Sequence, residues 1–246
     1  MDRGLYIAMS GAKQTLLAQS SNSNNLANAS TTGFRKDLQQ FRSMAVFGPG
    51  HPSRVYAMTE RPGVDVSSGP IQNTGRELDV AINGDGWMVV QGETGEEAFT
   101  RAGDLKITPE GLLQTGAGLQ ILGNQGSISI PPAQKLEIGS DGTISIVPLG
   151  GDSNALAVLD QIKLVNPSAD SLEKRNDGLM YMKDGALAEP SVGVTLEQGA
   201  LEGSNVNAVE ALVNMIELAR QFELQVKAMH AVDENEAASA QLMRMV

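Results

Sequence analysis

The sequence predicts an α+β protein of more than one domain. Two long amphipathic helices at the chain ends pair as a coiled-coil-like domain, and a β-rich middle is built from short twisted strands. Three observations carry this reading. Apolar residues recur at alternating three- and four-residue spacings at both ends. Between the ends, short apolar runs are separated by turn dipeptides. Finally, the 246 residues include 27 glycines but one Trp, five Phe and three Tyr, which suits many turns and is thin for one large core.

The first element follows from Leu5, Met9, Ala12, Leu16, Gln19, Ser23 and Leu26, which form a seam apolar at five of its seven positions. A helix over about residues 4–28 spans roughly 35–40 Å at ~1.5 Å per residue. Its second half, SSNSNNLANAS, has the composition of a linker. The seam nevertheless runs through it, and Gly33 closes the helix by taking the left-handed conformation. Asn25 and Asn28 lie on one face at i, i+3 spacing, where an amide can bridge to a neighbour's backbone. The stretch therefore reads as a docking surface, and residues 1–33 as one helical element.

Residues 34–75 form an extended connector, because Gly48 to Val66 carries three prolines and little periodicity. Residues 76–200 are the β-rich domain. Its strands are expected over 78–82, 87–91, 98–101, 105–107, 112–115, 119–122, 127–130 and 143–147. A second group covers 157–165, 179–182 and 193–196. Asn83-Gly84, Asp85-Gly86, Glu110-Gly111 and Asp141-Gly142 supply the turns.

Residues 201–246 hold the last element. Ser204, Asn205 and Asn207 offer side-chain oxygens to start a helix. Leu212, Met215, Ala219, Phe222, Val226, Met229, Asp233, Glu236, Ala240 and Met243 then repeat at three-four spacing, eight of the ten apolar. Val209, Val213, Ile216 and Val232 widen the stripe beyond a two-stranded seam. A helix of roughly 55–60 Å with so broad a stripe needs several neighbours, in the same chain or in other copies.

Composition removes several functions. The net charge of −11 argues against a nucleic-acid groove or an anionic-membrane surface. Without cysteine there is no disulfide, thiolate catalysis or cysteine metal site. No apolar run is long enough to span a membrane, and the patch from Leu5 to Met9 is too short for a secretory signal. The two histidines, His51 and His230, fall in the connector and beside the C-terminal seam. No catalytic, metal or cofactor motif occurs, and Asn83-Gly84-Asp85-Gly86 is a tight hairpin rather than a calcium loop. Arg220, in the middle of the last helix, suits a fork of hydrogen bonds to a neighbouring chain.

Three stretches resemble one family. They are Asn24-Asn25-Leu26-Ala27-Asn28 with Thr32-Gly33-Phe34-Arg35; Arg76 to Ile82 with Gly84-Asp85-Gly86-Trp87 and Phe99-Thr100-Arg101-Ala102-Gly103; and LEGSNVN from Leu201 with VNMIELARQFE from Val213. In this order and separation they resemble the axial proteins of the bacterial flagellum, specifically the basal-body rod proteins. MDRGLYIAM, LDVAINGDGW and VDENEAASAQLMRM are most similar to the proximal branch. The distal branch, the near alternative, usually has a longer insertion after the first helix and a tyrosine where this chain has Phe222.

The resemblance implies a non-enzymatic subunit without a cofactor. Its partners would be other copies, neighbouring rod subunits and, during secretion, the flagellar type III export apparatus. It implies a hollow rod through the periplasm that transmits torque and encloses the export channel, with terminal helices inside (D0-like) and the β domain outside (D1-like). Candidate interface residues on the first segment are Leu5, Met9, Leu16, Asn25, Leu26, Asn28, Gly33 and Phe34. On the last they are Asn205, Val206, Asn207, Leu212, Met215, Ile216, Arg220, Phe222, Val226 and Met229. Both ends are expected to be mobile before assembly and to order on docking. The rival from another class is a β-rich glycan-binding or cell-wall hydrolase module with helical arms, which would need two converging carboxylates or an aromatic platform.

Overall fold

The computed structural model describes residues 3–45, 55–60, 63–148 and 156–244. The chain divides into two compact units. One comprises Met1–Ala29, Asp37–Gly63 and Val206–Val246; the other comprises Ser30–Lys36 and Val64–Asn205.

The first unit is helical. Helix α1 (Arg3–Ala27) lies against α2 (Ala208–Arg244). Gly11 meets Gln225, while the Asn22 amide donates to the Ala211 carbonyl at 2.7 Å, so the helices run antiparallel. The buried face of α1 is made of Ala8, Gly11, Ala12, Thr15, Ala18 and Asn25. It is shifted from the expected seam, since Met9 and Leu16 stay half-exposed. Small residues line this face, and a Cβ at Gly11 would come within 2.9 Å of the end of the Gln225 side chain, which would have to turn aside. The Asn207 side-chain oxygen accepts from the Val209 and Glu210 N–H groups at 3.0 and 3.3 Å, making it the cap that starts α2.

Residues 34–75, expected as an extended connector, contain an antiparallel ribbon: β1 (Gln40–Ala45) pairs with β2 (Val55–Glu60), and β2 packs on α1. The pairing leaves little trace in the sequence because β1 is largely exposed on both faces, so its side chains do not alternate.

Asn25 ties this segment to the helix. It is 4 % exposed. Its amide donates to the Asp37 carbonyl at 3.0 Å, and its oxygen accepts the Asp37 N–H at 2.9 Å. The side chain thus imitates one rung of a β-ladder, and both its polar atoms are engaged within the subunit. Asn25→Ala would leave a buried N–H and C=O without these partners, and should cost about 1–3 kcal/mol. Urea unfolding followed at 222 nm measures that loss, with Asn28→Ala, at a partly exposed position, as the near-neutral comparison.

The second unit is β-rich. Its strands are β3 (Ile71–Asn73), β4 (Val80–Asn83), β5 (Trp87–Gln91), β6 (Glu97–Thr100), β7 (Leu105–Ile107), β8 (Leu113–Thr115), β9 (Leu122–Gly123) and β10 (Gly126–Ser127), then β11 (Ala133–Ile138), β12 (Thr143–Pro148), β13 (Ala157–Gln161), β14 (Leu164–Val165), β15 (Leu172–Lys174), β16 (Met180–Met182), β17 (Thr195–Gln198) and β18 (Ala200–Glu202). A five-stranded antiparallel sheet runs β14-β5-β6-β16-β15, and a three-stranded one runs β11-β12-β13. The remaining strands form the two-stranded ribbons β3/β18, β4/β17, β7/β8 and β9/β10.

Strand β5 shows how this unit closes. Met88 and Val90 enter one apolar cluster with Val80, Ile82, Leu113 and Ile144, while Trp87 and Val89 enter another with Phe99, Val165 and Met180. The period of two thus distributes one strand between two cores. Strand β11 was not foreseen, although Leu136 and Ile138 are buried and Lys135 is exposed; two prolines precede it. β3, β15 and β18 were also unforeseen, being three-residue pairings too short to show a period.

Candidate assembly interface

The helical unit exposes large apolar side chains in a pattern. On α1 these are Tyr6, Met9, Leu16 and Leu17; on α2 they are Val209, Leu212, Val213, Ile216 and Leu224, with Val209 71 % and Ile216 59 % exposed. Val209, Leu212, Val213, Ile216 and Leu224 follow one helical face, and exposed Arg220 lies on it four residues from Ile216 and Leu224. Leu38, Phe41, Met44 and Val55 add exposed apolar surface around the β1/β2 ribbon. Isolated exposed apolar residues are ordinary, but an aligned face of them marks an interaction surface.

The β unit contains a different construction. Glu202, at the end of β18, is 0 % exposed, and Arg35 and Arg101 are each 2 % exposed. Arg35 Nη2 donates to Glu202 Oε1 at 2.6 Å, and Arg101 Nη1 to Oε2 at 3.1 Å. The Gly69 N–H donates to Oε1 at 2.8 Å. Arg101 also donates to the Gly84 and Gly86 carbonyls, both at 2.8 Å, so the Asn83-Gly84-Asp85-Gly86 turn presents its oxygens to a guanidinium. Both guanidinium groups lie over the Trp87 ring, 5.8 and 5.3 Å from its centroid, and the π face offsets part of the excess positive charge.

Burial is the main reason the Arg35 pKa lies below its ordinary value; Glu202 opposes that shift and the Arg101 charge adds to it. For Asp65, burial acts to raise the pKa. The Ser67 hydroxyl and N–H, with the Lys36 and Arg35 charges, outweigh it and hold the carboxyl below its ordinary value. A depressed carboxylate contributes stability above its unfolded pKa of about 3.9 and loses it as pH falls through the folded value. Asp65→Asn should therefore be less stable than the parent at neutral pH and converge with it as pH falls through the folded value. Thermal unfolding across that range checks the convergence.

Gly33, expected to stop the first helix, lies beyond it: α1 ends at Ala27, and Gly33, with φ +68°, donates its N–H to the Glu202 carbonyl at 2.8 Å. A Cβ there would fall 2.3 Å from the Arg101 carbonyl carbon, so both conformation and space require glycine. Lys174 donates to the Arg35 carbonyl at 2.8 Å with its ammonium 3.8 Å from the Phe34 ring centroid. Asn205 Oδ1 accepts the Lys36 N–H at 2.7 Å, and its Nδ2 donates to the Asp65 and Ser67 carbonyls.

Comparison with known proteins gives the same outline. Residues 5–35 match the profile described as flagella basal body rod protein, and residues 81–146 match the flagellar hook protein FlgE/F/G D1 domain. Residues 197–242 match the flagellar basal body rod FlgEFG protein C-terminal profile. The flagellar basal-body rod protein FlgF of Salmonella typhimurium is 39 % identical over 251 residues, covering 100 % of both chains. The chain belongs to the flagellar basal-body rod proteins. FlgF of Escherichia coli is 38 % identical at the same coverage, and FlgG of Bacillus subtilis is 34 % identical over 95 % of this chain and 96 % of its own. The family is one of structural rod proteins, not of enzymes.

In this rod protein the foreseen interface residues fall into two groups. Met9, Leu16, Leu212, Ile216 and Arg220 present exposed surface on the helices, with Leu5, Leu26, Met215, Phe222, Val226 and Met229 partly buried beside them. Asn25, Gly33, Phe34, Asn205, Val206 and Asn207 instead make contacts within their own unit or are buried there; Asn28 is partly exposed, its amide donating to the Asn24 carbonyl at 2.9 Å. His230 is exposed on α2, and His51 lies outside the described residues. Among the described residues no group of His, Asp and Glu could hold a metal ion, and no helix is long and apolar enough to cross a membrane. Sequence reasoning missed the roles of Arg35, Arg101 and Glu202. A signal existed, because each lies inside one of the three stretches that resemble the family.

Proposed function

We propose that this rod protein is a proximal-rod subunit that assembles helically through the exposed faces of α1 and α2. The observation that carries the proposal is the aligned apolar face of α2, from Val209 to Leu224, in a chain that matches rod proteins over its full length. Several partners per helix would bury it. In the assembled rod the terminal helices form a coiled-coil-like inner layer around the export channel, and the β unit forms the outer layer. The subunit leaves the cytoplasm through the type III export apparatus, and the rod carries torque across the periplasm.

Hydrogen exchange tests the assembly step. The expected result is weak protection across Leu212–Met229 in isolated subunits and strong protection in purified basal bodies, because a helix partnered along one face only opens at low cost. Equal protection in the two states would contradict it. Gold labelling of the chain in intact basal bodies separates a proximal position from a distal one, a reading that the match to FlgG also brings into view.

A further inference from the structure

Buried ion clusters are a poor route to stability, because desolvation offsets most of the attraction and apolar packing of the same volume does as well. Fixed hydrogen-bond direction is what apolar packing does not supply, and the planar fork of arginine supplies it. In this subunit the fork is placed where the chain enters and leaves the β unit. The segment following α1 is held through Arg35 and Gly33, and the return from the β1/β2 ribbon through Gly69. The segment entering α2 carries Glu202 itself. Two further bonds brace the same crossings: the Gly203 N–H donates to the Pro70 carbonyl at 2.9 Å, and Asn205 joins Lys36 to Asp65. Every passage of the chain between the two units therefore begins within a few residues of one carboxylate.

We propose that the Glu202 carboxylate, gripped by Arg35 and Arg101, is the mechanical anchor that holds, within the β unit, the segments by which the chain enters and leaves it. Force on the β unit passes to these segments through these bonds. Arg35, Arg101 and Glu202 are positioning residues for torque transfer. The inference rests on the reading of the chain as a rod subunit.

The test uses cells lacking the chain, complemented with the parent, Glu202→Gln, Arg35→Lys or Val90→Ala. The last variant opens a cavity in the β core away from the cluster, and unfolding of the purified proteins at the growth temperature confirms that all are folded. Flagella are counted, and swimming speed is followed as medium viscosity rises. The anchor predicts normal flagellar number and near-parent speed in dilute medium for Glu202→Gln. In viscous medium it predicts a several-fold loss of speed for Glu202→Gln, a smaller loss for Arg35→Lys, and parent behaviour for Val90→Ala. Equal losses in Glu202→Gln and Val90→Ala would reduce the cluster to a contributor to stability and overturn the proposal. So would parent-like speed under load in Glu202→Gln. Absence of rods in both cluster variants, with the purified chains folded, would make the cluster an assembly determinant and equally overturn it. Failure of the parent chain to restore rods would overturn the rod reading itself.

Discussion

Glu202→Ala is expected to lower the unfolding free energy of the β unit by roughly 3–5 kcal/mol, the usual consequence of removing one partner of a buried ion pair. Two guanidinium groups, each 2 % exposed, would remain buried with no carboxylate between them, and the Gly69 N–H would lose its acceptor. At about 2–4 °C per kcal/mol for a domain of this size, the melting temperature should fall by roughly 6–20 °C. Glu202→Gln should lose less, since its amide oxygen can still accept from Gly69. Calorimetry on the purified variants measures both. A change of less than about 1 kcal/mol for Glu202→Ala, the range of exposed ion pairs, would mean that the cluster is screened by water.

Ile216→Asp is expected to have the opposite profile, leaving the fold unchanged and abolishing assembly. Ile216 is 59 % exposed on α2, so substitution there should stay within about 0.5 kcal/mol of the parent in the isolated subunit. If the face is covered in the rod, each copy loses about 1.5–3 kcal/mol of apolar burial and must desolvate a carboxylate. Leu16→Asp, on the half-exposed face of α1, should behave in the same way. Complementation of motility, with unfolding of the purified chain as the control, separates the two effects. Motile cells carrying both substitutions would show that these faces are not subunit contacts.

How much of this was legible depended on the range of the signal. Both helices were readable because a three-four repeat is local, and the cap at Asn207 is local too, whereas α1 ends at Ala27, six residues before the expected stop at Gly33. Also readable were β5 and β7, whose observed limits match the expected ones, and the Asp141-Gly142 turn, where Gly142 has φ +83°. Choosing which of two adjacent seams faces inward was harder. Both lie on nearly the same side of α1, and the decision rests on how α2 packs against it, which no single helix encodes. Asn25 is expected from the sequence to bridge to a neighbouring subunit's backbone, but it is buried and bonds to Asp37 of the same chain, reached through a ribbon whose pairing leaves little trace in the sequence. The ion cluster was the least legible part. Arg35 and Glu202 are 167 residues apart, Arg101 and Glu202 are 101 apart, and each alone looks like a solvated charge near a turn.

The central claim is that the apolar faces of α1 and α2 become subunit contacts in a flagellar rod. A cryo-EM reconstruction of the intact basal body tests it most directly, through the environment of Leu16, Val213, Ile216 and Leu224. The account predicts that these side chains lie against helices of neighbouring subunits in the inner layer of the rod. Finding this chain in the rod with those side chains facing the channel or solvent would contradict it.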